Sequence, residues 1–265
     1  MGYGLKKYGA WALVTGASAG FGWHFASYIA AEGVNVAVVA RRRDRLVDLS
    51  AGLEKDHGVE TLVIEQDLSR PESTANVYAA FGDRELGLLV LNAGFGYHGE
   101  FVKQSEEQIA TMISLNCTSY TTLFRRFVPQ MVERGRGAMI LVSSVLGYFP
   151  GPWNATYTAT KAFDLALGES IREELNGTGV DLLNLCPGMT DTDFHAVANE
   201  EGRRRKLAPE RKMDSPEEIV ELALRNLGRK GTVYPMQGLP AALVSRLLPR
   251  GWAARIAGKV MEMDD

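Results

Sequence analysis

Short apolar, β-branched runs punctuate the chain at Trp11–Thr15, Val34–Ala40, Thr61–Glu65, Leu88–Asn92, Ala138–Ser143 and Val180–Cys186. None alternates cleanly between apolar and polar, so each is predicted to be a strand buried on both faces, as the strands of a covered parallel sheet are. Helical stretches separate them, at Gly22–Glu32, Arg43–Lys55, Pro71–Phe81, Ser105–Arg134 and Asn154–Asn176. Strand and helix alternating at this spacing predict βαβ units and an α/β fold, a doubly wound parallel sheet with helices on both faces. Gly231–Pro235 is a candidate last strand, which makes about seven. Right-handed crossovers then line the carboxyl ends of the strands along one edge, where ligands bind.

The 265 residues are 46% hydrophobic and 23% charged, the mix of a globular chain with a substantial core. That balance argues against a disordered chain, and a net charge of −3 with a sequence pI about 5.9 argues against a dedicated nucleic-acid binder. Only Cys117 and Cys186 are present, so neither a disulfide framework nor a cysteine zinc site is available. His24, His57, His98 and His195 lack metal-ligand spacing, and no metal is expected. No signal peptide, myristoylation signal or spanning run of ~18 apolar residues is visible, and a cytoplasmic location is expected.

One domain is predicted over 1–265, with a core over 9–235. The texture changes after Pro187. Residues 190–211 are polar and irregular, and are expected to form a lid over the substrate. Ser215-Pro216 with Glu218 restarts a helix through a capping box. The stretch 236–265 reads as an amphipathic extension broken at Pro249-Arg-Gly251. It packs on the domain or on a second subunit, or it touches a membrane surface.

The first strand runs directly into Thr15-Gly-Ala-Ser-Ala-Gly-Phe-Gly22, which opens a helix. Glycines at 16, 20 and 22 let a pyrophosphate approach the backbone and let the helix pack close to the sheet, while the helix amino terminus faces the anion. This is not the G-x-G-x-x-G spacing of the standard dinucleotide fingerprint.

The T-G-x-x-x-G-x-G spacing resembles the short-chain dehydrogenase/reductase family, and further motifs follow in order. Asn92-Ala-Gly94 ends the fourth strand, Asn116 lies in the next long helix, and Ser144 stands thirteen residues before Tyr157-Thr-Ala-Thr-Lys161. Pro187-Gly188 follows the sixth strand, with Thr190 and Thr192 behind it. The resemblance implies a single Rossmann-type domain and an NADP(H)-dependent carbonyl reductase or alcohol dehydrogenase, a homodimer or homotetramer. It implies Asn116, Ser144, Tyr157 and Lys161 as catalytic residues. The cofactor would meet Gly16, Ser18, Gly20, Phe21, Gly22, Arg41, Asp67, Leu68, Asn92, Ala93, Gly94, Tyr157, Lys161, Pro187, Gly188, Thr190 and Thr192.

The residues themselves support that chemistry. Tyr157 and Lys161 lie four apart, on one helix face. An ammonium there favours the phenolate, as does a positively charged oxidised nicotinamide, and both are expected to lower the tyrosine pKa from about 10. Tyr157 then protonates a developing alkoxide while hydride arrives from the dihydronicotinamide. Ser144 hydrogen-bonds the same oxygen, and Asn116, as the resemblance implies, holds a water relay to Lys161. Ser143 and Ser144 point to opposite sides of the strand, and the spacing to tyrosine assigns Ser144 to catalysis and Ser143 to structure.

Cofactor preference turns on the end of the second strand. NAD-preferring members place an acid there for the ribose hydroxyls, and here the position is Ala40, followed by Arg41. A guanidinium suits a 2′-phosphate, with Ser18 adding a hydroxyl. Ala19 departs from the pattern, since many NADP-preferring members carry a second basic residue there. Asp67 and Leu68 would border the adenine.

The loops after the strand ends supply Phe95, Tyr97, Leu146, Tyr148, Phe149, Trp153 and Phe194. Tyr97, Leu146, Trp153 and Phe194 are expected to touch substrate, and the aromatic character favours a hydrophobic or aromatic carbonyl compound. Steroid, fatty-acyl and aryl ketones all remain open. Two other classes compete: a non-catalytic dinucleotide-binding regulator, and a membrane-interface protein using the carboxyl-terminal stretch. Arg203-Arg-Arg-Lys206 is a solvated loop or a site for an acidic partner.

Overall fold

The strands form as β1 (Trp11–Thr15), β2 (Asn35–Ala40), β3 (Thr61–Glu65), β4 (Leu86–Leu91), β5 (Gly137–Val142), β6 (Val180–Leu185) and β7 (Thr232–Val233). In this computed structural model, which describes residues 2–188, 190, 214–235 and 248–261, they make one seven-stranded sheet in the order β3-β2-β1-β4-β5-β6-β7. Every adjacent pair is parallel. The strand order reverses between β1 and β4, so the crevice outside their carboxyl ends is the place for a ligand. The last strand is shorter than the expected Gly231–Pro235, with two residues pairing to Asn184 and Leu185.

Alternate side chains of each strand feed two cores. On one face Val14, Val36, Val38 and Ile140 pack with Phe25 and Ile29 of α1 (Gly20–Ala31), Leu46 and Leu49 of α2 (Arg43–His57), and residues near the carboxyl end. On the other, Leu13, Val39, Leu89 and Leu141 pack with Val77 and Phe81 of α3 (Ser73–Phe81) and with Tyr120, Phe124 and Phe127. Each such buried side chain contributes about 1.5–3 kcal/mol, which is why strands apolar on both sides select this layered arrangement.

The helix expected over Ser105–Arg134 is interrupted. A capping box from Ser105 and Gln108 starts α4 (Glu106–Ile113), and Ser119–Arg134 forms α5. Between them Ser114–Thr118 is a π-helical turn, closed by the Ser119 N–H donating to the Ser114 carbonyl. The long α6 (Ala155–Glu174) lies beside this break. The predicted Ser215–Glu218 capping box starts α7 (Pro216–Asn226) on the first face, where Val220 and Leu224 are buried.

After Pro249, α8 (Arg250–Met261) buries Ala253 and Ala257 and exposes Trp252 and Ile256. Of the carboxyl-terminal stretch, 236–247 lie outside the described residues. No helix among the described residues is long and apolar enough to cross a membrane.

Candidate active site

The turn between β1 and α1 is built for close approach. Gly16 adopts φ +68°, a backbone conformation that side-chain-bearing residues seldom accept. A Cβ on Gly22 would overlap the Gly16 carbonyl and lie 2.7 Å from Asn92 Nδ2. The first turn of α1 has no side-chain cap at Ala19 and no acidic residue, so its N–H groups and the positive end of the helix dipole face the crevice unneutralised. These features fit a dinucleotide pyrophosphate.

Thr15 joins that turn to the end of β4. Its hydroxyl donates to the Val90 carbonyl at 3.2 Å and accepts from the N–H groups of Asn92 at 2.9 Å and Ala93 at 3.1 Å. Asn92 Nδ2 donates back to the Thr15 carbonyl at 3.0 Å. A Cβ on Gly94 would lie 3.1 Å from Asn116 Oδ1 and 3.8 Å from Lys161 Nζ, so the N-A-G turn sits against the reactive groups.

Those groups converge from the end of β5, from the π turn and from α6. The buried Ser144 hydroxyl accepts from the Leu146 N–H at 3.1 Å and lies beside the buried Tyr157 phenol. Ser143 turns the other way and donates to the Lys161 carbonyl at 2.8 Å. The Lys161 ammonium, 4% exposed, lies 5.9 Å from the Tyr157 ring centre. It donates to the Val142 carbonyl at 2.9 Å and to Asp164 Oδ2 at 3.0 Å. Asn116 donates through Nδ2 to the Phe95 carbonyl and to Thr160 Oγ1, both at 3.0 Å, and accepts from the Phe95 N–H at 3.3 Å. Its side chain therefore ties the loop after β4 to α6, while Lys161 engages Val142 and Asp164.

The electrostatics correct one expectation. Burial raises the Tyr157 phenol pKa and outweighs the lowering by Lys161 and by the Ser144 hydroxyl, with Asp164 raising it further. In the ligand-free protein Tyr157 therefore sits above its ordinary value, not below it. Burial pushes the Asp164 carboxyl up to about 6 even with Lys161 pulling the other way. Lys161 is raised, because the Asp164 carboxylate outweighs the burial that disfavours its charge. Burial also pushes the thiols of Cys117 and Cys186 up to about 12, so both are small buried residues and not nucleophiles.

The crevice edge beyond β2 is cationic. Ala40 ends the strand without a carboxylate, and Arg41 is exposed, close enough to Asp67 to favour its carboxylate. Arg42 lies over the glycine turn, its Nη2 donating to Ser18 Oγ at 3.1 Å and to the Ser18 carbonyl at 3.3 Å. Burial would raise Asp67, but hydrogen bonds from Ser69 and the nearby Arg41 and Arg70 bring its pKa below the ordinary value. Its Oδ1 accepts from both the Ser69 N–H and hydroxyl, and Leu68 is buried in the core.

Residues 10–203 match the family model for short chain dehydrogenases. The chain belongs to the short-chain dehydrogenase/reductase family. A 7beta-hydroxysteroid dehydrogenase of Collinsella aerofaciens is 34% identical over 232 residues, covering 88% of each chain. A solved structure concerned with 7beta-hydroxysteroid dehydrogenase stereoselectivity superposes with a TM-score of 0.85 at 30% identity, covering 96% of this chain and 98% of the other. A short-chain dehydrogenase from Sphingobium yanoikuyae in complex with NADPH gives 0.80 at 30% identity, covering 96% of both. The chain is thus an oxidoreductase that transfers hydride between a nicotinamide dinucleotide and a hydroxyl or carbonyl group. The non-catalytic and membrane-interface readings are not favoured.

Around the reactive groups of this dehydrogenase, two loops face each other. The Gly99 N–H donates to the Trp153 carbonyl at 2.7 Å, and His98 Nδ1 pairs with Asn154 Nδ2 at 2.8 Å. Trp153 has φ +65°, a strained conformation for a bulky residue. Tyr97, Leu146 and Trp153 are each partly buried in these loops, whereas Tyr148 packs edge-on against Tyr234 with ring centres 6.2 Å apart.

The Pro187 carbonyl accepts from the Val145 N–H, which holds the Ser144 turn against the end of β6. Thr190 is buried, with its hydroxyl 3.4 Å from the Gly188 carbonyl and its backbone bridged to Asp214. Met189, Thr192, Phe194 and the remainder of the expected lid lie outside the described residues.

Sequence reading missed two residues of this site. Arg42 was passed over because spacing pointed to its neighbour, and Asp164 because an acid on an amphipathic helix ordinarily faces water.

Proposed function

We propose that this dehydrogenase reduces bulky, apolar ketones with NADPH and oxidises the corresponding secondary alcohols with NADP+, with fused-ring ketones of the hydroxysteroid type as the leading substrate class. The observation that carries the reading is the convergence of the buried Ser144, Tyr157 and Lys161 at the carboxyl edge of the sheet, with the Lys161 ammonium 5.9 Å from the Tyr157 ring centre. Bound in the crevice, the reduced dinucleotide supplies the hydride that adds to the carbonyl carbon. Tyr157 gives its phenolic proton to the carbonyl oxygen, and Ser144 donates to the same oxygen as negative charge develops there. Lys161 donates toward the cofactor ribose and refills the tyrosine proton, with Asn116 holding the relay behind it.

The same reading assigns the cofactor contacts. Gly16, Gly20, Phe21 and Gly22 surround the pyrophosphate. Asp67 and Leu68 border the adenine, and Asn92, Ala93, Gly94, Pro187, Gly188, Thr190 and Thr192 flank the ribose and nicotinamide. Selection of NADP(H) over NAD(H) rests on Ser18, Arg41 and Arg42, three donors with no acid at Ala40 to oppose them. Tyr97, Leu146, Trp153 and Phe194 meet the substrate. The Collinsella relative's 7beta-hydroxysteroid activity and the NADPH of the Sphingobium structure support the substrate class and the cofactor.

The test is a panel of ketosteroids, aryl ketones and fatty-acyl ketones with NADPH and with NADH, followed at the nicotinamide absorbance. Ketosteroid turnover with NADPH is expected. A panel inert toward every fused-ring ketone, or equal rates with both cofactors, overturns the corresponding part of the reading. The whole chain is read as one domain, cytoplasmic, and a homodimer or homotetramer. The buried free thiols and the exposed Trp252 and Ile256 support this, and light scattering tests the oligomer.

A further inference from the structure

We propose that Asp164 is a positioning residue for this site: it holds Lys161 in a buried ion pair and offsets part of its charge, which limits how far the ammonium can acidify Tyr157. Lys161 and Asp164 are three apart on α6, hence neighbours on one face. Their side chains are 5% and 0% exposed, and Nζ and Oδ2 are 3.0 Å apart. An ammonium has three N–H donors. Asp164 and the Val142 carbonyl take two of them, which fixes the ammonium against the end of β5 and leaves one donor for the crevice.

The charge consequence follows from distance. A bare ammonium about 6 Å from a phenol, at an effective dielectric constant near 20, raises its acidity about a hundredfold. A carboxylate in contact with that ammonium turns the lone charge into a short dipole and removes much of this effect. Asp164 Oδ1 has no hydrogen-bond partner among the described residues, so the carboxylate is held through Oδ2 and depends on Lys161 for its charge.

The titratable groups facing Asp164 are Lys161 and Tyr157 on α6, Tyr120 on α5 and Cys117 on the π turn. Lys161 is the one cation among them. The Asp164 carboxylate raises Lys161 against its burial, as a pair in contact does, and adds a smaller rise to the burial that raises Tyr157. Asp164 touches no reacting atom in this scheme and acts through Lys161.

This inference rests on the proposed acid role of Tyr157, and its first readout needs neither cofactor nor substrate. Phenolate absorbance is titrated in the ligand-free chain and in Asp164→Asn, each compared with its own Tyr157→Phe counterpart. Asp164→Asn is expected to lower the Tyr157 midpoint by at least about one pH unit, a tenfold gain in acidity, and to move the acidic limb of alcohol oxidation to lower pH. An unchanged midpoint in a folded variant overturns the proposal. A lowered midpoint in a chain that turns over no ketone upholds the role of Asp164 and sinks the reading of function instead.

If the lone ammonium left by Asp164→Asn prevents folding, the double variant Lys161→Met/Asp164→Leu replaces the pair with apolar side chains, a change buried ion pairs often tolerate. Its Tyr157 midpoint should stay within about half a pH unit of the unaltered chain. A rise of a full unit shows that Lys161 acts uncompensated, and overturns the proposal.

Discussion

The Ser143 hydroxyl donates to the Lys161 carbonyl at 2.8 Å, while the hydroxyl of the next residue lies beside Tyr157. Two adjacent serines thus divide between holding α6 against β5 and facing Tyr157. Ser143→Ala removes a buried hydrogen bond, and is expected to lower stability by about 1 kcal/mol in chemical denaturation with turnover largely kept. Ser144→Ala should instead cut kcat about a hundredfold with the melting temperature little changed. The reverse pattern would exchange the two assignments.

Tyr157→Phe keeps the ring and deletes the acidic hydroxyl. Turnover should fall by about 10²–10⁴-fold, the range general acids supply, while NADPH binding by fluorescence titration stays within a few-fold of the unaltered chain. Substantial residual turnover would make another group the proton donor.

Arg42 reaches Ser18, and Arg41 stands on the Asp67 side of the same edge. Arg41→Ala and Arg42→Ala should each raise the KM for NADPH by about ten- to a hundredfold, since a charge-assisted hydrogen bond is worth about 1.5–3 kcal/mol, and leave the KM for NADH nearly unchanged. Equal losses with both cofactors would remove the 2′-phosphate from the explanation.

Gly22→Ala places a methyl group against the Gly16 carbonyl and Asn92. Overpacking of this kind costs about 1–3 kcal/mol, and displacement of the turn should weaken dinucleotide binding at least tenfold by calorimetry. Unchanged affinity would show that the turn has slack the structure does not display.

Asp164 sets a pH dependence whose sign can be worked out. Its carboxyl stands at about 6 in the folded chain, against about 3.9 when unfolded. Between those values the folded state keeps a proton that the unfolded chain has released, so this group's contribution falls as pH rises through about 6. Denaturation midpoints from about pH 4 to about pH 7 should show the unaltered chain losing stability relative to Asp164→Asn over that window. An increase across it would contradict the raised carboxyl.

Much of the fold was legible because strands buried on both faces leave a continuous apolar signature. The six runs fall within two residues of β1 to β6. The seventh strand was weaker because only two residues of it pair, too few for a periodic signal. In the site, order and spacing located Ser144, Tyr157 and Lys161, but not the balance of forces on them. That Tyr157 is raised follows from burial, and burial is a property of packing that no local spacing encodes. Asp164 was invisible for the same reason: alone on a helix it reads as a solvated acid, and only the neighbouring α5 and π turn enclose it. Arg42 needed the fold to bring residues 18 and 42 together across β1 and β2.

The break between α4 and α5 sets where a change in the length of this segment registers. One residue of helix is about 100° of rotation. The π turn over Ser114–Thr118 takes up an extra residue without advancing the rotational phase that follows. Deleting one residue there would restore an unbroken α-helix with Tyr120, Phe124 and Phe127 still facing the sheet, and would remove the widened turn from which Asn116 clasps the loop after β4. Surface loops absorb such length changes. This helix absorbs its extra residue in the π turn, so a length change here is felt at Asn116 and the loop it holds and not in the packing of α5 on the sheet.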